Sequence, residues 1–272
     1  MTARVALVTG AGRGLGRAYA LALAADGMRV VVNDLGVDVD GRGTDGAPAR
    51  AVVAEIAAAG GEAVGDTTDV ASLAGGAAAV ARTLDAFGRI DVVVNNAGFA
   101  SGGGTLEHPV DTELDALFAV HFKATAGTIS AAFPLMRAQR YGRIVNTVSE
   151  VALDARFDGG LGYGAAKAAV WSATLHAARA GVDAGITVNA ISPGARTRMS
   201  APALDAGFRE GASAALDLRP EHVARVVAYL ASEAAGDVTG RIVHAAGGAV
   251  REYTTTRTGR SNLVDRLERV LA

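Results

Sequence analysis

Two spacings of apolar residues alternate along this chain. Short unbroken runs at 5–8, 30–32 and 92–94 have the pattern of strands buried on both faces of a parallel sheet. Between them lie longer stretches rich in helix formers, mixing apolar and polar residues as a helix laid on a sheet does. The pattern predicts strands at 5–9, 29–33, 62–69, 90–95, 142–149, 186–191 and 240–245. It predicts helices at 17–26, 49–59, 72–87, 114–137, 163–175 and 220–232, with Pro134 kinking or stopping the fourth. Residues 195–219 read as irregular. Strand and helix alternate throughout, so the expected fold class is α/β: a single domain with a doubly wound parallel sheet of about seven strands and helices on both faces. No linker, repeat or charge block divides residues 1–250. Residues 251–272 differ in character, being polar to about 261 and then amphipathic through Leu263, Val264, Leu267, Val270 and Leu271. That suits a surface or subunit-contact extension.

The first connection carries the first candidate chemistry. Thr9-Gly10-Ala11-Gly12-Arg13-Gly14-Leu15-Gly16 lies between an expected strand and an expected helix. Glycines at 10, 14 and 16 let the backbone turn tightly and approach a diphosphate, whose charge the free amides of the helix start would meet. The second strand runs into Asp34, at the distance where a carboxylate reaches the hydroxyls of an adenosine ribose; the competing reading is a turn residue at a strand end. A carboxylate there repels a 2′-phosphate, which favours NAD over NADP. Arg13 argues the other way unless it neutralises the diphosphate. The Gly/Asp-rich segment 35–48 is long for such a connection and is placed to cover the adenine side.

Composition narrows the picture. Half of the 272 residues are hydrophobic and only 5% are aromatic, so the core must be built mainly from Ala, Val and Leu; 35 dispersed glycines imply tight turns and close packing. A net charge of −2 and a pI near 6.2 advertise neither nucleic acid nor an acidic membrane surface as partner. There is no cysteine, which removes disulfides, thiolate metal sites and cysteine nucleophiles, and no metal site is expected. The first residues enter a strand-like run without a signal-peptide profile, and no uninterrupted apolar stretch approaches the ~20 residues of a membrane helix. A cytoplasmic protein with a small-molecule substrate is the expectation.

Tyr163 and Lys167 stand four apart in a helix-forming run, which stacks them on one face. A cation beside a phenol stabilises its phenolate and brings a group of ordinary pKa ~10 toward neutral use as a proton donor and acceptor. This suggests acid–base chemistry on a hydroxyl or carbonyl. An ordinary surface pair is the competing reading, although the chain has only two lysines, Lys123 and Lys167, so chance coincidence is rare. Ser149 closes the fifth expected strand, at the carboxyl edge where open parallel sheets bind ligands.

Four stretches in this order resemble the classical short-chain dehydrogenase/reductase family over residues 3–250: the glycine-rich segment 9–16; Asn95-Asn96-Ala97-Gly98; Ser149 followed by Tyr163 and Lys167; and Pro193-Gly194 with Thr197 beyond. The resemblance implies a Rossmann fold, a nicotinamide cofactor, hydride transfer between a secondary alcohol and a ketone, and a homotetramer or homodimer. It implies that Tyr163 is the general acid–base, that Lys167 lowers its pKa and holds the nicotinamide ribose, and that Ser149 orients the substrate oxygen. Gly10, Gly12, Arg13, Gly14, Leu15 and Gly16 would cradle the diphosphate. Asp69, Val70, Asn96 and Ala97, with Gly98 beside them, would line adenine and ribose. Pro193, Gly194 and Thr197 would meet the carboxamide.

Two departures from the family pattern stand out. Ser149 precedes Tyr163 by 14 positions, one more than usual; aligning on spacing puts Glu150 in the serine's place, while the run 142–146 favours Ser149. His121 stands where a helix asparagine usually anchors the proton-relay water. The multifunctional-type 3-hydroxyacyl-CoA dehydrogenases tend to have histidine there and share the phrase Val32-Asn33-Asp34-Leu35-Gly36. His121 holds a water or simply packs. Arg156, Arg196, Arg198 and Arg209 sit among small apolar residues and would suit an anionic handle such as a CoA phosphate. The resulting expectation is an NAD(H)-dependent dehydrogenase of 3-hydroxyacyl-CoA-type or related secondary alcohols. The alternatives are an NADPH-dependent ketoreductase of polyketide or fatty-acid type and a non-catalytic dinucleotide-binding protein.

Overall fold

The computed structural model describes residues 3–38, 43–154, 156–157, 159–205 and 217–254. In chain order the elements are β1 (Val5–Thr9), α1 (Gly14–Ala25), β2 (Arg29–Asn33), α2 (Ala47–Ala58), β3 (Ala63–Asp66), α3 (Leu73–Phe87), β4 (Val92–Asn95) and α4 (Asp111–Phe118). They continue with α5 (Ala124–Gln139), β5 (Gly142–Thr147), α6 (Leu161–Gly181), β6 (Ile186–Gly194), α7 (Ala201–Asp205), α8 (Pro220–Ala231), β7 (Ile242–Ala246) and β8 (Ala249–Tyr253). The strands form one sheet in the order β3-β2-β1-β4-β5-β6-β7-β8. Every pairing is parallel except β7 with β8.

The unbroken apolar runs are buried on both faces because successive side chains point to opposite layers. In β1, Ala6 and Val8 join α1, α2 and α8 in one core, while Leu7 joins α3, α5 and α6 in the other. This is the expected doubly wound α/β architecture, a Rossmann fold. Order reverses between β1 and β4, and at such a switch point the loops after the two strands diverge and leave a crevice at their carboxyl ends.

The structure departs from the sequence expectations at several elements. An eighth strand is present: Gly247 and Gly248, at φ +54° and +82°, make a two-residue reversal that folds β8 back on β7. The third strand ends at Asp66 rather than Asp69, because the Asp66 carboxylate accepts from the Thr68 backbone N–H (3.2 Å) and hydroxyl (2.7 Å) and so turns the chain. Strand β6 runs through Pro193 to Gly194, paired with β7. Pro134 lies inside α5, which continues to Gln139. Between α4 and α5 the helix is widened into a π turn at Ala119–Lys123. The continuous helix Asp111–Gln139 is long and apolar enough, by length and composition, to cross a membrane; here it packs along α3 and the sheet. The amphipathic segment 263–271 lies outside the described residues.

Candidate active site

A cleft of 740 Å³ opens at the carboxyl ends of the strands. Its floor at the switch point is held by side-chain bonds between the loops after β1 and β4. Asn96 Nδ2 donates to the carbonyls of Thr9 (3.0 Å) and Gly10 (3.1 Å), and the Thr9 hydroxyl accepts from the amides of Asn96 (3.0 Å) and Ala97 (3.1 Å). The glycines follow from this closeness. A Cβ on Gly10, which sits at φ +63°, would lie 2.8 Å from Ala97 Cα, and one on Gly16 would overlap the Gly10 carbonyl. Helix α1 begins with no side-chain cap, so its first amides are free to meet an anion. Gly10, Arg13, Gly14, Leu15 and Gly16 line the cleft. Gly12 does not; a Cβ there would instead meet Asp34 Oδ2 at 2.8 Å and Pro48 at 2.7 Å.

Asp34 spans two loops, accepting from Gly12 N through Oδ2 and from Gly36 N through Oδ1, both at 2.7 Å. Asp69, Val70, Asn96, Ala97, Pro193, Gly194 and Thr197 line the same cleft, and Gly98 lies against the His121 ring. An uncapped helix start, a glycine floor and a carboxylate beyond β2 fit a dinucleotide.

Ser149, Tyr163, Lys167 and His121 meet at the other end. A chain of buried amides and hydroxyls fixes the elements that present them: Thr128 Oγ1 donates to Asn95 Oδ1 (2.7 Å), Asn95 Nδ2 to Asn146 Oδ1 (2.8 Å), and Asn146 Nδ2 to Thr174 Oγ1 (2.9 Å). It links α5, β4, β5 and α6. Lys167 is 4% exposed; its Nζ donates to the Thr147 carbonyl at 2.8 Å and lies 5.7 Å from the Tyr163 ring centre. Burial brings the lysine down to about 7. Burial pushes the Tyr163 phenol up to about 12, and a hydrogen bond with Ser149 opposes that rise. The phenol thus moves opposite to the lowering expected from the Tyr–Lys spacing, because desolvation of the phenolate outweighs every other influence on it.

His121 projects from the π turn and is 2% exposed. Its Nε2 lies 2.9 Å from the Phe99 carbonyl. A carbonyl only accepts, so Nε2 carries the proton and Nδ1 is the bare acceptor; Nδ1 is buried with no hydrogen-bond partner among the described residues. Burial and the Lys167 charge hold the imidazole well below its ordinary range, so it is neutral. Its ring meets Tyr163 edge to face at 5.3 Å.

Of the arginines expected to attract an anion, Arg156 pairs with Asp154 and is 85% exposed, and Arg196 pairs with Asp205. Arg198 lines the cleft; Arg209 is outside the described residues. Sequence reasoning missed the main-chain acceptors of Thr147 and Phe99 and the apolar lining of Val151, Phe157, Met199, Leu204 and Leu218.

Fold and site together define a nicotinamide-dependent oxidoreductase, and comparison with known proteins says of which kind. Residues 4–206 match the model for the short chain dehydrogenase family, and the chain belongs to that family. It is 40% identical over 257 residues to the peroxisomal multifunctional enzyme type 2 of Drosophila melanogaster, covering 94% of this chain and 41% of that protein, so it spans under half of that relative. It is 38% identical over 252 residues to a 3-oxoacyl-[acyl-carrier-protein] reductase of Synechocystis, covering 92% of this chain and 98% of that protein. A crystal structure of a short chain dehydrogenase from Mycobacterium avium superposes with a TM-score of 0.82 at 39% identity, covering 98% of this chain and 94% of that one.

Proposed function

We propose that the protein is an NAD(H)-dependent dehydrogenase that interconverts secondary alcohols and ketones of 3-hydroxyacyl-CoA type. The observation that carries this reading is the convergence of Ser149, Tyr163 and Lys167 in the same cleft as Asp34. The bound nicotinamide supplies or accepts the hydride. Tyr163 Oη takes the proton from the substrate hydroxyl in oxidation and returns it to the carbonyl oxygen in reduction. The Ser149 hydroxyl orients that oxygen. Lys167 spends one N–H on the Thr147 carbonyl and has two left for ribose hydroxyls and for the proton path. The two titrations are linked: charge on Lys167 favours a Tyr163 phenolate, and a phenolate favours charge on Lys167. Neutral His121, its Nδ1 buried, packs its ring edge to face against Tyr163.

Asp34 is the basis for preferring NAD, since its carboxylate disfavours a 2′-phosphate. The second reading, an NADPH-dependent ketoreductase, rests on Arg13, which lines the cleft and bonds only the Val37 carbonyl (3.1 Å) among the described residues. A panel of acyl-CoA thioesters, steroids and cyclic ketones, followed by NADH and NADPH absorbance, separates the two; strong NADPH preference with Asp34 intact defeats the first. Tyr163→Phe is expected to leave NADH binding nearly unchanged and to cut turnover by orders of magnitude, and wild-type turnover refutes the role given to Tyr163. Oxidation needs the phenolate and should quicken as pH rises, whereas reduction needs the phenol and should not. The same reading carries a homotetramer or homodimer, which light scattering tests, and a cytoplasmic location; of the expected extension 251–272, residues 251–253 belong to β8 of the sheet.

A further inference from the structure

Glu150, His244 and Tyr253 form a cluster that the chemistry above does not use. Glu150 opens the short turn Glu150–Ala152, which Ser149 caps. Its side chain is 11% exposed, and Oε1 accepts from Tyr253 Oη at 2.8 Å and lies 3.5 Å from His244 Nδ1. His244 on β7 and Tyr253 on β8 meet edge to face, 6.5 Å apart at 89°. Tyr253 also packs with Leu153 and Trp171 against Val148, Val170 and Ile242. Burial and the Glu150 carboxylate push its phenol up to about 12, so it donates throughout the neutral range. The local hold on Ser149 is weak by comparison: its Oγ accepts from Val151 N at 3.4 Å, near the limit of a hydrogen bond.

We propose that the Tyr253–Glu150 hydrogen bond is a positioning clamp by which the last strand fixes the turn carrying Ser149, and so sets the serine hydroxyl against Tyr163. Both residues act through Ser149, and the inference rests on the role given to that serine under the proposed function. A serine displaced by about an ångström no longer meets the substrate oxygen and Tyr163 together, and a misplacement of that order costs up to about a hundredfold. The clamp bears on turnover and not on the dinucleotide, because Asp34 and the glycine floor stand across the switch point from it.

The test is steady-state NADH oxidation by the full chain with acetoacetyl-CoA, alongside NADH binding and thermal unfolding. Tyr253→Phe should lower kcat about tenfold or more with the KM for NADH unchanged. Glu150→Ala should fall by a similar factor, the double variant no further, and Glu150→Gln, whose amide oxygen accepts the same bond, should keep most of the rate. Wild-type kcat in Tyr253→Phe, or losses that multiply in the double variant, overturn the clamp. So does a lowered melting temperature with unchanged kcat, which marks a merely structural contact. If Tyr253→Phe does not fold, the contrast between Glu150→Gln and Glu150→Ala decides the matter. Ser149→Ala separates the two levels: near-complete loss there beside a wild-type Tyr253→Phe overturns the clamp alone, while wild-type turnover in Ser149→Ala overturns the reading of the serine and the clamp with it.

Discussion

Lys167 pays for its position with its charge. Its ordinary pKa of 10.5 falls to about 7 through burial, so the folded state binds fewer protons than the unfolded chain between those values. Stability therefore rises with pH across that window, and the cost of the buried ammonium is complete below it. The shift corresponds to roughly 4–5 kcal/mol, more than the ~1–3 kcal/mol for leaving the Thr147 carbonyl without its donor. Lys167→Met should then abolish turnover yet melt at a higher temperature than the wild type at pH 6–7, with the gap closing toward pH 10; scanning calorimetry at three pH values checks it. The residue pair was legible in the sequence because four-residue spacing on a helix fixes a shared face whatever surrounds it. Its anchors were not legible. The carbonyls of Thr147 and Phe99 are main-chain atoms carried by every residue type, and only the fold says which of them face the site. Nor could spacing alone decide between Ser149 and Glu150, which the structure turns in different directions, toward Tyr163 and toward Tyr253.

At the scale of elements, β1, β2 and β4 were legible as unbroken apolar runs, which have few uses other than a buried strand. The helix bearing His121 was expected, but its π turn was not. One extra residue in a turn shifts the phase of everything after it without changing composition, so a periodicity argument only sees a blurred pattern. The turn's effect is to press the His121 ring against the loop after β4, where a Cβ on Gly98 would overlap the ring and come 2.7 Å from Nδ1. Gly98→Ala should displace the imidazole from the Phe99 carbonyl and reduce turnover about tenfold or more, while costing far less in a His121→Ala background. A double-mutant cycle on kcat measures that coupling, and equal losses in both backgrounds would show that Gly98 acts elsewhere. The early end of β3 and the passage of β6 through Pro193 were hidden for a similar reason. Side-chain bonds such as Asp66 to Thr68 and pairing with a neighbouring strand override local preference.

For the whole molecule, the winding of the sheet does most of the functional work. Reversal between β1 and β4 opens one crevice, in which the glycine floor and Asp34 take one end and the Tyr163 group the other. Fold class and the crevice's position followed from the order of elements alone. The return strand β8 did not, because its five residues, mostly exposed, lack the apolar signature of a buried strand. Asp34→Ser should reduce the NADH-over-NADPH ratio of kcat/KM by about tenfold or more, following loss of the repelling charge, and an unchanged ratio would remove Asp34 from the choice of cofactor. The same carboxylate also ties Gly12 to Gly36, two bonds to a charged acceptor worth about 1.5–3 kcal/mol each. For anyone re-engineering this enzyme, selectivity and loop rigidity are therefore one variable: a variant made to accept the phosphorylated dinucleotide starts with a slacker entrance, and a second substitution must re-stitch the two loops before its catalytic rate can be compared with the parent's.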